Sequence, residues 1–267
     1  MCESKPLVSI IIPVRNRFRE LKDALNSVFE QEYPVEVILV DDSDEPGLDI
    51  LLSEFEKAIT VIKNPTRLGI VRSRNVGLAR AKGQYVCFLD SDDYWDSTFL
   101  RQSISSIERN GGVSATLCLS RAFFDPPFPF FLKLKIAVYI LIKNTLILWN
   151  FFVGRRLARS APFLGHLSHM VFRRKNLPQF DPQMNAAEDW KFIFDLMETQ
   201  SVSIVPSALC RFRYNLTSNS FCVARQKATC KAEAYQSLIQ EIEAAHPSSL
   251  YLKLFKIYTR HFVIPGA

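Results

Sequence analysis

The sequence lacks the cysteine and glycine patterns of several common protein classes. Its six cysteines stand singly with no C-x-x-C pair, which argues against a zinc site and is typical of reduced thiols in the cytosol. The first apolar run is followed by Pro13-Val14-Arg15-Asn16 instead of a glycine fingerprint, which excludes a dinucleotide-dependent oxidoreductase. The N-terminal region also has no glycine-rich phosphate loop, which argues against a sugar nucleotidyltransferase.

Two further classes are excluded on similar grounds. An EF-hand loop beginning at Asp90 would need glycine at its sixth position and glutamate at its twelfth, where Trp95 and Arg101 stand. The formal net charge is +6, but Lys and Arg are spread along the chain without the dense patch that tracking of nucleic-acid phosphates needs. We therefore expect no nucleic-acid partner, and the positive excess suits a membrane surface or an anionic substrate.

The pattern of apolar residues predicts an α/β fold. With 267 residues, 48% of them hydrophobic, the chain is long enough to bury a full core. Strands are predicted at 8–12, 36–40, 59–63, 85–89, 113–119 and 166–172, and helices over 17–29, 48–58, 68–82 and 98–108, with helical periodicity again at 224–245. This β-α-β alternation predicts a mostly parallel sheet flanked by helices. We assign residues 1–220 to one domain and 221–267 to a C-terminal helical segment.

Acidic residues follow the predicted strands at two points and recur later in the chain. Asp41-Asp42 follows the second strand, and Asp90-Ser91-Asp92-Asp93 follows the fourth. Open α/β sheets bind ligands beyond the carboxyl ends of their strands, and carboxylate oxygens suit Mg²⁺ or Mn²⁺ and the diphosphate that such a metal carries. Glu188-Asp189 precedes a helical pattern and offers a general base. Together these positions predict a site for a nucleotide-linked substrate.

An apolar insertion at about 125–160 interrupts this pattern. Residues 130–153 are mostly Phe, Leu, Ile and Val, but Lys133, Lys135 and Lys143 lie among them. The first interpretation is an interfacial helix pair or a lobe that dips into a membrane, followed by a buried core helix, while the lysines make a true span the least favoured. The arginines at 155, 156 and 159 would suit anionic headgroups, or form an ordinary basic turn.

These motifs together resemble a family 2 glycosyltransferase of the GT-A fold. The match runs from Val8-Ser9-Ile10-Ile11-Ile12-Pro13 through Val40-Asp41-Asp42-Ser43, the segment 69–77 and the Asp90-Ser91-Asp92-Asp93 motif to Glu188-Asp189. The resemblance implies that Pro13 and Val14 line the pocket of the nucleotide base, that Asp42 accepts from a pyrimidine N–H, and that Arg74 lies near the nucleotide.

The same resemblance implies the chemistry of transfer. Asp90 would contact the ribose and the metal, and Asp92 would bind a divalent cation, Mn²⁺ or Mg²⁺, that bridges the donor phosphates. Asp189, with Glu188 beside it, would act as the base of an inverting reaction. The role of Asp93 is ambiguous, and a cap of the following helix is the interpretation offered for it.

Relatives of this family often carry a histidine after the late strand, where this chain reads Arg211-Phe212-Arg213-Tyr214-Asn215. Asn215 would be a weaker ligand, and Arg211 or Arg213 could neutralise phosphates instead. His166 and His169 are interpreted as acceptor-side or structural residues rather than metal ligands.

The resulting expectation is a cytoplasmic glycosyltransferase, peripheral on the inner face of the cell membrane, that serves surface polysaccharide or lipopolysaccharide synthesis. The cytoplasmic location follows from an N-terminal apolar run that is short and ends at Pro13, unlike a secretion signal. Its donor is expected to be a nucleotide sugar, with UDP-sugars favoured, and its acceptor a glycan or a lipid-linked glycan. The alternative is a GT-A-like domain that binds a nucleotide sugar or a membrane partner without turnover.

Overall fold

The structure is a computed structural model that describes residues 8–55, 59–154, 157, 161, 164–184, 186–214, 228–247 and 249. Its strands are β1 Val8–Val14, β2 Val35–Asp41, β3 Ile59–Lys63, β4 Tyr85–Phe88, β5 Tyr94–Trp95, β6 Val113–Phe124, β7 Met170–Arg173 and β8 Ser201–Tyr214. Its α-helices are α1 Phe18–Phe29, α2 Leu48–Leu52, α3 Ile70–Arg80, α4 Phe99–Arg109, α5 Phe130–Gly154, α6 Glu188–Thr199 and α7 Ala228–Ala245.

All eight strands join one sheet in the order β3-β2-β1-β4-β7-β6-β8-β5. The N-terminal part, from β3 to β4, is parallel, and β6 also runs parallel to β8. The strands β7 and β5 pair antiparallel with their neighbours. The predicted α/β sheet with flanking helices is confirmed, and the sheet is mixed because β7 and β5 run against the others.

Helices cover both faces of the sheet. Successive side chains of a strand point to opposite faces, so Ile10 and Ile12 pack with the apolar sides of α1 and α4 while Ile11 packs with those of α3 and α6. Burial on both faces explains why β1 is apolar throughout its buried length apart from Ser9. Helix α7 adds Leu238 to the same core as α6.

The apolar insertion forms one long helix, so the predicted helix pair is wrong. One side of α5 packs on the sheet through Ile136, Ile140 and Ile147, and Asn144 fixes the contact. Its amide donates to the backbone oxygen of Ser120 at 2.8 Å and accepts from the Ser120 N–H at 3.2 Å. Since a polar side chain holds the helix to the edge of β6, α5 is half packed rather than free.

The opposite side of α5 is exposed and almost wholly apolar. Phe131 and Phe152 are 84% and 80% exposed, and seven other large apolar side chains accompany them: Phe130, Leu134, Val138, Leu141, Ile142, Trp149 and Val153. We call these nine residues the apolar face of α5. By length and composition alone, Phe130–Val153 is sufficient to cross a membrane. The arginines at 155, 156 and 159 lie outside the described residues.

Several predicted boundaries move. Helix α2 ends at Leu52, short of the predicted 48–58, and the strand predicted at 166–172 is a 3₁₀ turn at Leu167–His169 followed by β7. Strand β8 runs unbroken from Ser201 to Tyr214, since its register shifts against β6 instead of breaking. The domain boundary predicted at 220 lies outside the described residues.

Close packing of α3 against β1 gives a test of the fold. A Cβ atom added at Gly77 would lie 2.4 Å from Cγ2 of Ile11, whereas nothing lies within 4 Å of the same position at Gly111. We expect Gly77→Ala to lower the free energy of unfolding by about 1–3 kcal/mol, the usual range for overpacked cores, when measured by urea denaturation. Gly111→Ala is the matched control, and equal stability of the two variants would contradict this packing.

Candidate active site

The carboxyl ends of β1 and β2 lie side by side. Val14 is in register with Asp41, and the N–H of Asp42 donates to the backbone oxygen of Val14 at 2.9 Å. The residues predicted to hold the nucleotide base, Pro13, Val14 and Asp42, are therefore neighbours at one edge of the sheet. This arrangement is the strand-end crevice expected of an open α/β sheet.

Asp42 organises the loop that leads into α3. Its Oδ1 accepts from the N–H of Leu68 at 2.7 Å, and its Oδ2 accepts from the N–H of Gly69 at 2.8 Å. The amide of Asn64 donates to Oδ1 as well, at 3.0 Å. Burial opposes the charged form, but these donors outweigh it and lower the pKa of Asp42. The carboxylate of Asp42 is thus ionised. Its hydrogen bond to the pyrimidine base of the donor nucleotide stays a prediction.

Arg74 lies between the two acidic motifs. It projects from α3, is 1% exposed, and its Nη2 donates to Oδ1 of Asp90 at 2.8 Å. Its Nη1 donates to Oε1 of Glu188 at 3.3 Å. Burial works against the charged guanidinium, but Asp90, Glu188 and Asp189 more than compensate and raise its pKa. The predicted site residue is therefore a buried cation that joins the end of β4 to the start of α6.

Three side chains of the site form a group that could hold a metal ion. One ligand atom from each of Asp90, Asp93 and His166 lies within 4.8 Å of the others. Among the described residues, this is the group of His, Cys, Asp and Glu side chains whose ligand atoms lie that close together. Two carboxylate oxygens and an imidazole suit a divalent cation such as Mn²⁺. His166 was predicted not to be a ligand, and the 3₁₀ turn that follows it is what places its ring here.

The charges of this group favour cation binding. Burial, followed by the charges of Asp92 and Asp90, raises the pKa of Asp93 well above its ordinary value. Burial lowers the pKa of His166 to about 4, so its imidazole is neutral near pH 7 and can offer a lone pair. A bound cation would relieve the repulsion among these carboxylates, so the residues fit a metal ion.

Asp92, the other predicted metal contact, lies outside this group. It forms an ion pair with Arg17, the residue just before α1, which no sequence motif singles out. Its role as a metal ligand stays a prediction. Asp93 is not a helix cap, because Asp96 instead accepts from the N–H and hydroxyl of Thr98, just before α4.

Glu188 and Asp189 open α6 as predicted, but they do different things. Arg74 holds the carboxylate of Glu188. Oδ2 of Asp189 lies 3.8 Å from Nε2 of His166, which is beyond hydrogen-bond distance and leaves the oxygen available. Burial raises the pKa of Asp189; Arg74 opposes this shift and Asp90 supports it. Burial also raises the pKa of Glu188, so the difference between the two acids is that Arg74 pairs with Glu188 while the Asp189 oxygen stays available.

Alternation along β8 decides which residues face the site. The ring of Phe212 lies 4.6 Å from that of His166, while Arg211 and Arg213 lie against the ring of Tyr94. The guanidinium of Arg213 is paired with Asp23. These arginines are therefore turned away from Phe212 and the acidic group. Asn215 lies outside the described residues.

Lys143 lies over Phe212, whose ring contacts His166, and the predictions from sequence give it no role at the site. It was treated only as a costly charge within an apolar run, yet it is 6% exposed and its Nζ lies 5.1 Å from the centre of the Phe212 ring. A lysine on the buried side of an otherwise apolar helix was the available signal, since such a charge needs a partner.

Comparisons with known proteins agree with this geometry. The model of glycosyl transferase family 2 matches residues 9–177. The Escherichia coli UDP-Glc:alpha-D-GlcNAc-diphosphoundecaprenol beta-1,3-glucosyltransferase WfaP is 38% identical over 131 residues, 45% of this chain and 52% of that protein. The Erwinia amylovora amylovoran biosynthesis glycosyltransferase AmsB is 36% identical over 110 residues, 39% of this chain and 36% of that protein.

A solved structure extends the likeness to the whole fold. The structure of S. aureus TarS 1–349 in complex with UDP-GlcNAc superposes with a TM-score of 0.69 at 20% identity, covering 95% of this chain and 72% of that one. The chain spans about half or less of the length of the curated relatives it matches.

The fold is thus GT-A, and the family match covers more than half of the sequence and includes the Asp42, Arg74 and Asp90 positions. The chain belongs to glycosyl transferase family 2.

Proposed function

We propose that the protein is an inverting glycosyltransferase that moves a sugar from a nucleoside diphosphate to a glycan or lipid-linked acceptor in surface polysaccharide synthesis. The observation that carries this proposal is the meeting of three elements at one edge of the sheet: Asp42 beside Val14, the acidic group at Asp90, and the available carboxylate of Asp189. Family membership supports the reaction class.

The chemistry follows from where these groups lie. Asp189 accepts the proton of the acceptor hydroxyl as that oxygen attacks the anomeric carbon, and the bond from that carbon to the diphosphate oxygen breaks on the opposite face. Glu188 is held by Arg74, so it positions the start of α6 rather than taking the proton. The configuration at the anomeric carbon is inverted because a single displacement occurs.

The nucleotide of the donor is assigned to the carboxyl ends of β1 and β2. We assign Pro13 and Val14 to the base pocket and Asp42 to the base itself or to the loop at 64–69 that encloses it. The names of two similar proteins, a UDP-Glc transferase and a TarS complex with UDP-GlcNAc, support a UDP-sugar.

For the metal we favour the group Asp90, Asp93 and His166 over Asp92. A bound divalent cation supplies Lewis acidity and neutralises the charge of the departing diphosphate. The neutral imidazole and the closely spaced carboxylates are the properties of this chain that would hold it.

A lipid-linked acceptor would require the active site to lie at a membrane surface. WfaP is named for an acceptor linked to diphosphoundecaprenol, a lipid carrier. The apolar face of α5 is too large to be left in water without a partner, since monomers rarely expose such contiguous apolar patches. We propose that this face lies in the membrane interface on the cytoplasmic side, where a lipid-linked acceptor would be presented.

Turnover tests the role of Asp189. The assay supplies UDP-, GDP- or dTDP-sugars, Mn²⁺ or Mg²⁺ and a panel of lipid-linked acceptors, and it measures nucleotide release. We expect release by the wild type. The rate for Asp189→Asn should fall by about 10²–10⁴-fold, because a general base usually contributes that much to the rate. Glu198→Gln, an exposed acid on the same helix, is the control. Unchanged turnover by Asp189→Asn, or a product of retained configuration by NMR, would contradict the proposal.

Vesicle sedimentation tests the role of α5. Deleting the whole helix would also remove the buried Ile136, Ile140 and Ile147, so we choose exposed positions instead. Phe131→Ser combined with Phe152→Ser should reduce binding to anionic vesicles about tenfold or more, because each buried aromatic side chain contributes about 1.5–3 kcal/mol. Ile50→Ser, 75% exposed on α2, should change nothing. Equal sedimentation of all variants would refute the membrane role.

The raised pKa of Asp93 gives a test of the metal group that separates stability from binding. Ionising a group whose folded-state pKa is raised costs stability as the pH rises through that pKa. Without metal near pH 7, Asp93→Asn should therefore be more stable than the wild type by about 0.5–2 kcal/mol, and the gain should shrink toward about pH 4.

In the same variant, titration with Mn²⁺ followed by electron paramagnetic resonance should show affinity reduced by about tenfold or more. Asp92→Asn is the comparison. Weaker Mn²⁺ binding in Asp92→Asn with full binding in Asp93→Asn would show that the ligands implied by the family resemblance hold the metal instead.

A further inference from the structure

Lys143 carries a buried charge that has no counterion among the residues that the structure describes. It is 6% exposed, and its Nζ lies over the ring of Phe212 at 5.1 Å. Among the described residues the structure records no ion pair or hydrogen bond for this ammonium. An unpaired buried cation is costly, so its retention calls for an anion that is absent from the free protein.

The position of Lys143 is fixed from two directions. The next residue, Asn144, makes both of its hydrogen bonds to the backbone of Ser120, which sets the rotation of α5 on the sheet. Phe212, under the ammonium, is in edge contact with the ring of His166 at 4.6 Å. Lys143 is therefore held one aromatic ring away from the candidate metal group.

The other positively charged side chains near this side of β8, among the described residues, are turned away from the site or already paired with acids. Arg211 and Arg213 face the opposite side of the strand, and Arg213 is paired with Asp23 and Asp125. Both Nη atoms of Arg74 are paired, with Asp90 and Glu188, while its buried Nε has no hydrogen-bond partner among the described residues. Lys143 remains as the uncommitted positive charge that faces this side of the site in the part of the chain that the structure describes.

We propose that Lys143 binds a diphosphate group at the active site, so that the apolar insertion contributes a substrate-binding residue to the catalytic centre. This inference rests on the proposed function, since the diphosphate is that of the nucleotide donor or of a lipid-linked acceptor. Both sources present the same chemistry, a dense anion that suits a compact ammonium.

Protonation of Lys143 supports the same role. Burial lowers its pKa to about 8, and Cys210, Asp189, Cys118 and Asp93 act in the opposite direction. Lys143 in turn opposes the charged forms of His166 and His169. The amine is mostly charged near pH 7, and a bound anion would stabilise the charged form further. Affinity for a diphosphate is therefore expected to be full below about pH 8 and to fall above it.

The test compares Lys143→Met with Lys133→Met. Lys133 lies on the same helix with its Nζ 5.9 Å from the ring of Phe124, so it has a similar aromatic contact in another place. The measurement is calorimetric titration with UDP, inorganic pyrophosphate, farnesyl diphosphate and uridine, with Mg²⁺ in excess.

We expect Lys143→Met to bind UDP or farnesyl diphosphate roughly 10- to 100-fold more weakly and to lose the fall in affinity above about pH 8. Uridine binding should not change, and Lys133→Met should behave as the wild type. Weakening of UDP alone assigns Lys143 to the donor, and weakening of farnesyl diphosphate alone assigns it to the acceptor.

Stability separates this role from a structural one. Removing an unpaired buried charge should leave Lys143→Met at least as stable as the wild type by thermal unfolding. Full affinity of a folded Lys143→Met for all three diphosphate probes would overturn the proposal. Wild-type protein that binds pyrophosphate or farnesyl diphosphate but no nucleotide would instead contradict the proposed donor, while those two probes still test Lys143.

Discussion

A buried guanidinium holds the two halves of the site together. Arg74 is almost fully enclosed, and its charge is balanced by Asp90 at the end of β4 and by Glu188 at the start of α6. Removing one partner of such a buried ion pair costs about 3–5 kcal/mol of folding stability. Asp90 and Glu188 are therefore held in place, and neither can be replaced by an uncharged residue without that cost. The position of Asp189 depends on this contact, because it is the next residue along α6.

Asp93, in the neighbouring acidic group, has the opposite character, since no residue that the structure describes forms an ion pair with its carboxylate. Asp93 lies beside Asp90 and Asp92, and burial, followed by the charges of Asp92 and Asp90, raises the pKa of its carboxyl. Lys143, over the ring of Phe212, has no ion-pair partner among the described residues. A chain that keeps crowded anions and an unpaired cation in one region is less stable than it could be, and binding of a metal ion and a diphosphate would remove both costs.

The sequence predicted the order of the elements well because strand ends and acidic residues are local signals. The β-α-β alternation, Asp42 beside Val14 and the opening of α6 at Glu188 all follow from such patterns. The contacts of Arg17 and His166 depend on residues far away in the chain, so no local pattern reveals them. Helix α5 was ambiguous for the same reason: its composition suits a membrane, and only the pairing of Asn144 with Ser120 shows that it also packs on the sheet.

The central claim is that one crevice, at the carboxyl ends of β1, β2 and β4, receives the donor. A crystal structure of the protein with UDP and Mn²⁺ tests this most directly. The account predicts the base beside Val14 and Asp42, the metal on Asp90, and the diphosphate between that metal and the start of α6. A nucleotide bound away from this edge of the sheet, or Mn²⁺ bound without Asp90, would contradict it.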